Sequence, residues 1–224
     1  FRVYSVESDL VGRYPFKGDL HMHSSYSDGR ESPAYVAAAC RSIGLDFMAV
    51  TDHRRYAPSL EAIAAFEGVP CDLRIYAGEE VHPPDNPVHI INFGGRRSIN
   101  EMFADEPSYC ASVDELGQKI GPVPPGVDAY QYASTVWCFD RIREVGGLGV
   151  FCHPYWFTDN RYTPSGALTS YLFQTQPFDA YEAIGGYHLF EAASNTLQVA
   201  RYHEERTKGR RIPIVGVSDS HGCE

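Results

Sequence analysis

Lys17-Gly18-Asp19-Leu20-His21-Met22-His23-Ser24-Ser25-Tyr26-Ser27-Asp28-Gly29 sets two histidines and an acid in one short stretch. Along an extended strand successive side chains alternate between faces, so His21 and His23 point the same way, roughly 7 Å apart. Two imidazoles so placed can share one metal ion. An H-x-H pair is common by itself, so its meaning depends on what the other elements bring to the same place.

Residues 18–23 read as the first core strand, followed by a polar loop at Ser27-Asp28-Gly29. Ser32 suits a helix N-cap and Pro33 the first helical position, and Tyr35, Val36, Ala39, Cys40 and Ile43 then recur at helical spacing. Residues 45–50 are nearly all apolar, as a strand buried on both faces of a parallel sheet requires, and they deliver Thr51-Asp52-His53. A second helix is expected around Leu60, Ile63 and Phe66. A third strand over 73–77 runs into Gly78-Glu79-Glu80-Val81, and a fourth, over 88–93, begins Val88-His89. Strands at 148–152 and 212–217 present His153-Pro154 and Ser218-Asp219-Ser220-His221. Helices are expected over 132–142, 178–184 and 196–207, a further strand over 189–193, and an aromatic loop over 155–173.

This alternation argues for a parallel α/β architecture whose ionisable groups gather at one end of the strands, the end that carries the active site in α/β barrels. Seven expected strands are too few for the full eight, which points to a smaller or distorted barrel. The chain stops soon after His221 without a closing helix, so closing C-terminal elements are expected to be missing. Residues 1–17 read as a lead-in and 18–224 as one domain. Within it, residues 96–127, with Pro and Gly around one short helix near 113–120, read as a loop-rich cap beside the site.

A chain of 224 residues with 43% apolar content fits one large domain with a real core. The net charge of −10 and the absence of Lys/Arg clusters argue against a surface that tracks long nucleic acid. No apolar run approaches the roughly 18 residues of a membrane span and no secretory segment is visible. That favours the cytoplasm, although Phe1 in place of Met leaves room for a removed leader. The six cysteines lie far apart with no C-x-x-C pair and read as reduced core thiols. Nothing in the sequence speaks to oligomeric state.

As an ordered set, H-x-H-x4-D, T-D-H, G-x-E, a strand beginning with His, G-G-x5-H-P and D-x-H resemble the polymerase and histidinol phosphatase (PHP) superfamily. The resemblance runs from Gly18 to Gly222. It implies a distorted seven-stranded (β/α) barrel holding two or three divalent metal ions, and most often phosphoester hydrolysis. By position it implies nine ligands: His21, His23, Asp28, His53, Glu80, His89, His153, Asp219 and His221. His21, His23, Glu80 and Asp219 would hold one ion, Glu80 with His89 and His153 a second, and Asp28, His53 and His221 a third. Glu79 is the alternative to Glu80 as the bridge.

Six imidazoles and three carboxylates suit Zn²⁺, Mn²⁺ or Fe²⁺, whereas Mg²⁺ prefers a more oxygen-rich shell. Two or three such ions carry roughly +4 to +6 against −3, a positive pocket that attracts phosphate into an acidic protein. Metal binding brings the pKa of water down to about 7, so a bridging hydroxide is the expected nucleophile and no side-chain nucleophile is required.

Three further residues are candidates for roles beside the metals. Asp52 would orient a ligand histidine, Arg54, or Arg55, would grip a phosphate through paired hydrogen bonds, and His82 would contact substrate or donate a proton. Tyr155, Trp156 and Phe157 either stack on an aromatic leaving group or cover the barrel mouth, and Glu191 is a candidate partner for a ligand. The function expected first is a metal-dependent phosphoesterase acting on a small phosphorylated metabolite or nucleotide. The alternative is a carbamate, carboxylic ester or amide hydrolase using the same metals. A non-catalytic, metal-stabilised domain that supports a partner predicts lost ligands, and none of the nine positions is missing.

Overall fold

A computed structural model describes residues 8–158, 161–186 and 192–223. Three short parallel strands, β1 (Gly18–Asp19), β2 (Phe47–Ala49) and β3 (Arg74–Tyr76), form one sheet, with Gly18 beside Phe47 and Phe47 beside Arg74. A second sheet joins β4 (Gly78–Val81), β5 (Ile90–Phe93), β6 (Leu148–Phe151), β9 (Ala180–Ile184) and β10 (Ile214–Gly216), in that spatial order. A hairpin of β7 (Trp156–Thr158) and β8 (Arg161–Thr163) stands apart from both.

Here the structure departs from a regular parallel barrel. β6, β9 and β10 are parallel, but β5 runs antiparallel to both β4 and β6. Only residues 82–89 connect β4 to β5, fewer than the dozen or so that a parallel crossover needs, so the chain folds straight back. The stretch expected as one strand over 73–81 divides at Ala77, β3 and β4 joining different sheets. The sheets meet at two single-residue bridges, Met22 with Ser220 and His53 with Glu80. Among the described residues the strands do not close into the expected seven-stranded barrel.

Side-chain alternation explains how the second sheet is covered. Ile90, Phe151 and Tyr181 face outward into a core with Phe139, Leu168, Leu172 and Phe173, while Ile91, Val150 and Cys152 form a smaller inner cluster. The outer core is supplied by α3 (Glu106–Ile120), α4 (Ala129–Glu144) and α5 (Gly166–Thr175), with α6 (Ala192–Thr207) contacting β9. On the first sheet, α1 (Pro33–Ser42) and α2 (Ala57–Ala65) cover Met22, Met48, Val50 and Leu73. α1 starts as the sequence indicates, with the Ser32 hydroxyl accepting from the Tyr35 N–H. Its buried face is Pro33, Val36, Ala37 and Cys40, whereas Tyr35 and Ile43 stay exposed.

Three further expectations change. In the stretch 178–184, Ala180–Ile184 form strand β9 rather than a helix, because Tyr181 and Ala183 enter the outer core while Glu182 points the other way, a period of two. In 96–127 the short helix expected at 113–120 is the fifteen-residue α3, packed on α4 through Tyr109 and Val113. Asp105 caps it by accepting from the Ser108 N–H, and Pro107 sits in the first turn, where its missing N–H costs nothing. Residues 155–173 hold the hairpin and most of α5 rather than a loop. The strand expected at 189–193 falls mostly outside the described residues, as does Glu191, and Ala192 and Ala193 belong to α6. All six cysteines are free, and no helix among the described residues is long and apolar enough to cross a membrane.

Candidate metal centre

Both carboxylate oxygens of Glu80 lie where the two sheets meet. The strand bridge to His53 is locked by the Arg54 N–H donating to the Glu80 carbonyl and the Glu80 N–H donating to the Asp52 carbonyl. Inside the junction, Glu80 Oε1 lies 2.9 Å from His89 Nδ1 and 3.5 Å from His153 Nε2. Its Oε2 lies 3.6 Å from His21 Nε2 and 3.7 Å from His23 Nε2, and also touches His53 Nδ1. Glu79, one residue earlier, faces the opposite side of β4, where it accepts from the Ile99 N–H, the Ser98 hydroxyl and the Asn100 amide. Strand alternation thus decides between the two acids.

The remaining acids complete the cluster from either side. Asp219 Oδ1 is 2.9 Å from His23 Nε2 and 3.1 Å from His21 Nε2. Asp28, half exposed at the rim, is 3.3 Å from both His53 Nε2 and His221 Nε2 and 3.9 Å from His23 Nδ1. All nine residues named from the sequence therefore gather in one place. Their ligand atoms converge in overlapping groups, including His21 with His23 and Asp219, His21 with Glu80 and His153, and His23 with Asp28, His53 and His221. His23 stands between two of these groups rather than in one.

The donor atoms fit a cation. His21 Nε2, His23 Nδ1, both Glu80 oxygens, His89 Nδ1 and His153 Nε2 are buried without a hydrogen-bond partner, although they face one another at close range. Each buried polar atom left unpaired costs about 1–3 kcal/mol. Six such atoms converging is the arrangement that divalent ions with nitrogen and oxygen ligands satisfy. The outer nitrogens of two rings are already committed: His21 Nδ1 donates to Glu182 Oε2 at 2.8 Å, and His221 Nδ1 donates to the Asp219 carbonyl at 2.9 Å. Those bonds leave Nε2 of each ring free to offer its lone pair inward.

Charge follows the same logic. Burial works against protonation of His21, but Asp219, Glu182 and Glu80 together raise its pKa well above the usual value. His53 and His153 also end raised, because Glu80 and its neighbours outweigh burial. Burial would raise Glu80, yet His89 and His21 hold it well below the carboxylate range; Asp219 is likewise lowered, His21 and His23 overcoming burial. His89 moves the other way, burial pushing it down to about 4, and burial lowers His23 too. Without metal the buried carboxylates are thus balanced by protons on imidazoles, which a divalent ion would displace.

Of the three residues expected beside the metals, Asp52 takes a different place. Among the described residues Asp52 bonds no histidine side chain: its carboxylate accepts from the Ser24 and Ser27 N–H and hydroxyl groups, pinning the loop between His23 and Asp28. Gly29 closes that loop, and an added Cβ would lie 2.4 Å from the His23 carbonyl oxygen. Arg54 is exposed in a left-handed conformation (φ 59°), next to His53, and its guanidinium has no ion pair among the described residues. His82 belongs to the cluster itself, its Nε2 2.9 Å from His53 Nδ1 and its ring stacked on His89. Two residues escape sequence reading. Glu182 was hidden in the stretch read as helix, although an acid flanked by Tyr181 and Ala183 in a strand is the signal that would have found it. Asp19 clasps the first and last strands together by accepting from the His21 and Ser218 N–H groups.

No family model matches the chain. The DNA polymerase/3'-5' exonuclease PolX of Bacillus subtilis is 47% identical over 53 residues, 24% of this chain and only 9% of the polymerase's length. Solved structures match far more of the chain. A protein of inferred metal-dependent phosphoesterase activity from Bifidobacterium adolescentis gives a TM-score of 0.57 at 19% identity, over 93% of this chain and 89% of its own. A two-domain Bacteroides vulgatus protein containing a predicted PHP-like metal-dependent phosphoesterase gives 0.58 at 16%, over 93% and 52%. An amidohydrolase from Chromobacterium violaceum, with bound sulfate, gives 0.55 at 19%, over 92% and 88%. The resemblance to the PHP superfamily therefore holds in the fold.

Two outcomes follow from the centre's electrostatics and geometry. In metal-free protein the raised imidazoles contribute stability that is whole below pH 6.5 and lost as pH rises through their folded values. The depressed carboxylates contribute stability that is whole above their unfolded values and lost as pH falls through the folded ones. The lowered imidazoles of His23 and His89 contribute stability that is whole above pH 6.5 and lost as pH falls. Thermal melts with chelator should therefore peak near about pH 6.5, and loading with Mn²⁺ or Zn²⁺ should move the maximum upward, since neutral imidazoles bind metal; superimposable profiles would contradict this. Glu182→Gln should weaken metal binding by about 10–100-fold in competition with a chromogenic chelator, and unchanged affinity would show that the hydrogen bond to His21 does not matter.

Proposed function

We propose that this chain is a metal-dependent phosphoesterase acting on a small phosphorylated metabolite or nucleotide. The carrying observation is the convergence of unpartnered, buried imidazole and carboxylate atoms on Glu80. His21, His23, Glu80 and Asp219 would hold one ion, Glu80 with His89 and His153 another, and Asp28, His53 and His221 a third, the ions being Zn²⁺, Mn²⁺ or Fe²⁺. When bound, such ions acidify water toward neutral pH and neutralise the charge of a phosphoryl group.

The chain's own contribution is placement. Glu182 fixes the His21 ring, the Asp219 carbonyl fixes His221, and Asp52 fixes the loop that carries Asp28. Arg54, exposed beside His53, is the cation that would meet the outer oxygens of a phosphate. His82, mostly buried at the cluster's edge, would hold or pass a proton at a ring nitrogen as the leaving oxygen departs. Two of the structural neighbours are described as metal-dependent phosphoesterases, which supports a phosphoester, whereas the Chromobacterium violaceum neighbour differs. That neighbour is named an amidohydrolase, which supports ester, amide or carbamate hydrolysis as the second reading. The net charge of −10 favours a small substrate over long nucleic acid.

Mn²⁺-, Zn²⁺- or Fe²⁺-loaded protein should hydrolyse a nitrophenyl phosphate monoester or diester faster than the matched carboxylic ester and carbamate. His21→Ala should lower that rate at least about a hundredfold. Turnover of the ester or carbamate alone would replace this reading with the second one.

A further inference from the structure

Beside the metal centre, on the His89 and His153 side, lies a recess of about 220 Å³ walled by Pro87, Trp156, Thr163 and Pro164. We propose that this recess is a subsite for an uncharged, flat ring on the substrate's leaving group; the pocket stands on its own geometry, while the bond cleaved rests on the phosphoesterase reading above.

Size comes first. A cavity of about 150 Å³ admits benzene, so this one takes a single ring system and little more. Charge is the second constraint: apart from the two histidines that also face the metal centre, no ionisable side chain lines the recess except the buried Cys152 thiol. A charged group placed there would lose its water without gaining a counter-ion. The Thr163 hydroxyl supplies one hydrogen-bonding group, enough to orient a ring without demanding charge.

The walls are held in advance. Trp156 and Thr163 are direct cross-strand partners in the hairpin, so both side chains share the face turned toward the centre. Phe157 and Tyr162, the next pair, turn to the other face and remain about half exposed. The aromatic run after His153 therefore divides, with Trp156 lining the recess and Phe157 outside it. The indole stands edge-on to His153, with ring centroids 4.9 Å apart at 89°, and to His89 at 6.4 Å and 83°. Pro87 is fixed because Asn86 donates to Gln131, Ser134 and Thr135 of α4, and Pro164 because Ser165 caps α5. A ring joined through one oxygen to a phosphoryl group at the centre can thus lie against a preformed wall, with little ordering cost.

The test is calorimetric titration of Mn²⁺-loaded protein with benzylphosphonate and with methylphosphonate, neither of which carries a hydrolysable ester. Benzylphosphonate should bind at least about tenfold tighter. Trp156→Ala should bring that ratio to within about twofold of one and Trp156→Phe should restore most of it. Thr163→Leu, which narrows the recess while keeping the indole, should lower the ratio as well and carries the test if Trp156→Ala does not fold. Equal affinities in the wild type, or a preference that survives both Trp156→Ala and Thr163→Leu, would overturn the subsite. Ring preference in a protein that hydrolyses no phosphate ester would uphold the subsite and remove the phosphoesterase reading. Phosphate-ester hydrolysis without ring preference would do the reverse.

Discussion

A glutamate carboxylate buried without a lysine or arginine beside it is the constraint on which this molecule turns. Glu80 is inaccessible to solvent, and its ion-pair partners among the described residues are all histidines, His21, His23, His53, His82, His89 and His153. An uncompensated buried carboxylate costs several kcal/mol, so something cationic must stay with it, either protons on those imidazoles or metal ions in their place. The fold arranges that exchange. The two sheets are joined by bridges at Met22 and Ser220 and at His53 and Glu80, and both bridges lie among the candidate metal-binding residues. Fold and candidate centre therefore depend on each other: the converging imidazoles and carboxylates sit at the seam, and the seam is closed by the groups that flank them.

From that seam the other features follow as supports. Asp19 ties the first strand to the last, Asp52 ties the loop after His23 to the end of β2, and Glu182 ties His21 to β9. Glu79, of the same residue type as Glu80 and adjacent to it, is spent on holding residues 98–100. Four acids with similar chemistry thus do different work, and strand alternation together with the available donors decides which.

Much of the centre was legible in the sequence because its groups lie in short local motifs at strand ends, where a strand followed by a polar triplet is easily recognised. His21 with His23, Thr51-Asp52-His53, His153-Pro154 and Asp219-x-His221 are of this kind. What could not be read depends on contacts remote in sequence. Asp52 looked like a partner for His53 because it is adjacent, but its donors come from Ser24 and Ser27, which only the folded loop brings near. β9 lies in the stretch expected as a helix, and only pairing with β6 and β10 reveals its two-residue period. The antiparallel turn of β5 broke the expected barrel for a reason visible only in hindsight, the brevity of residues 82–89.

The most direct measurement of the central claim is the metal content of the chain and of Glu80→Gln, by mass spectrometry after loading with Mn²⁺ and removing excess. If Glu80 joins neighbouring ions, the wild type retains at least about two per chain and the variant loses more than about one, because a bridging ligand serves both. Equal stoichiometry and affinity in the two proteins, or a wild type that retains none, would contradict the account.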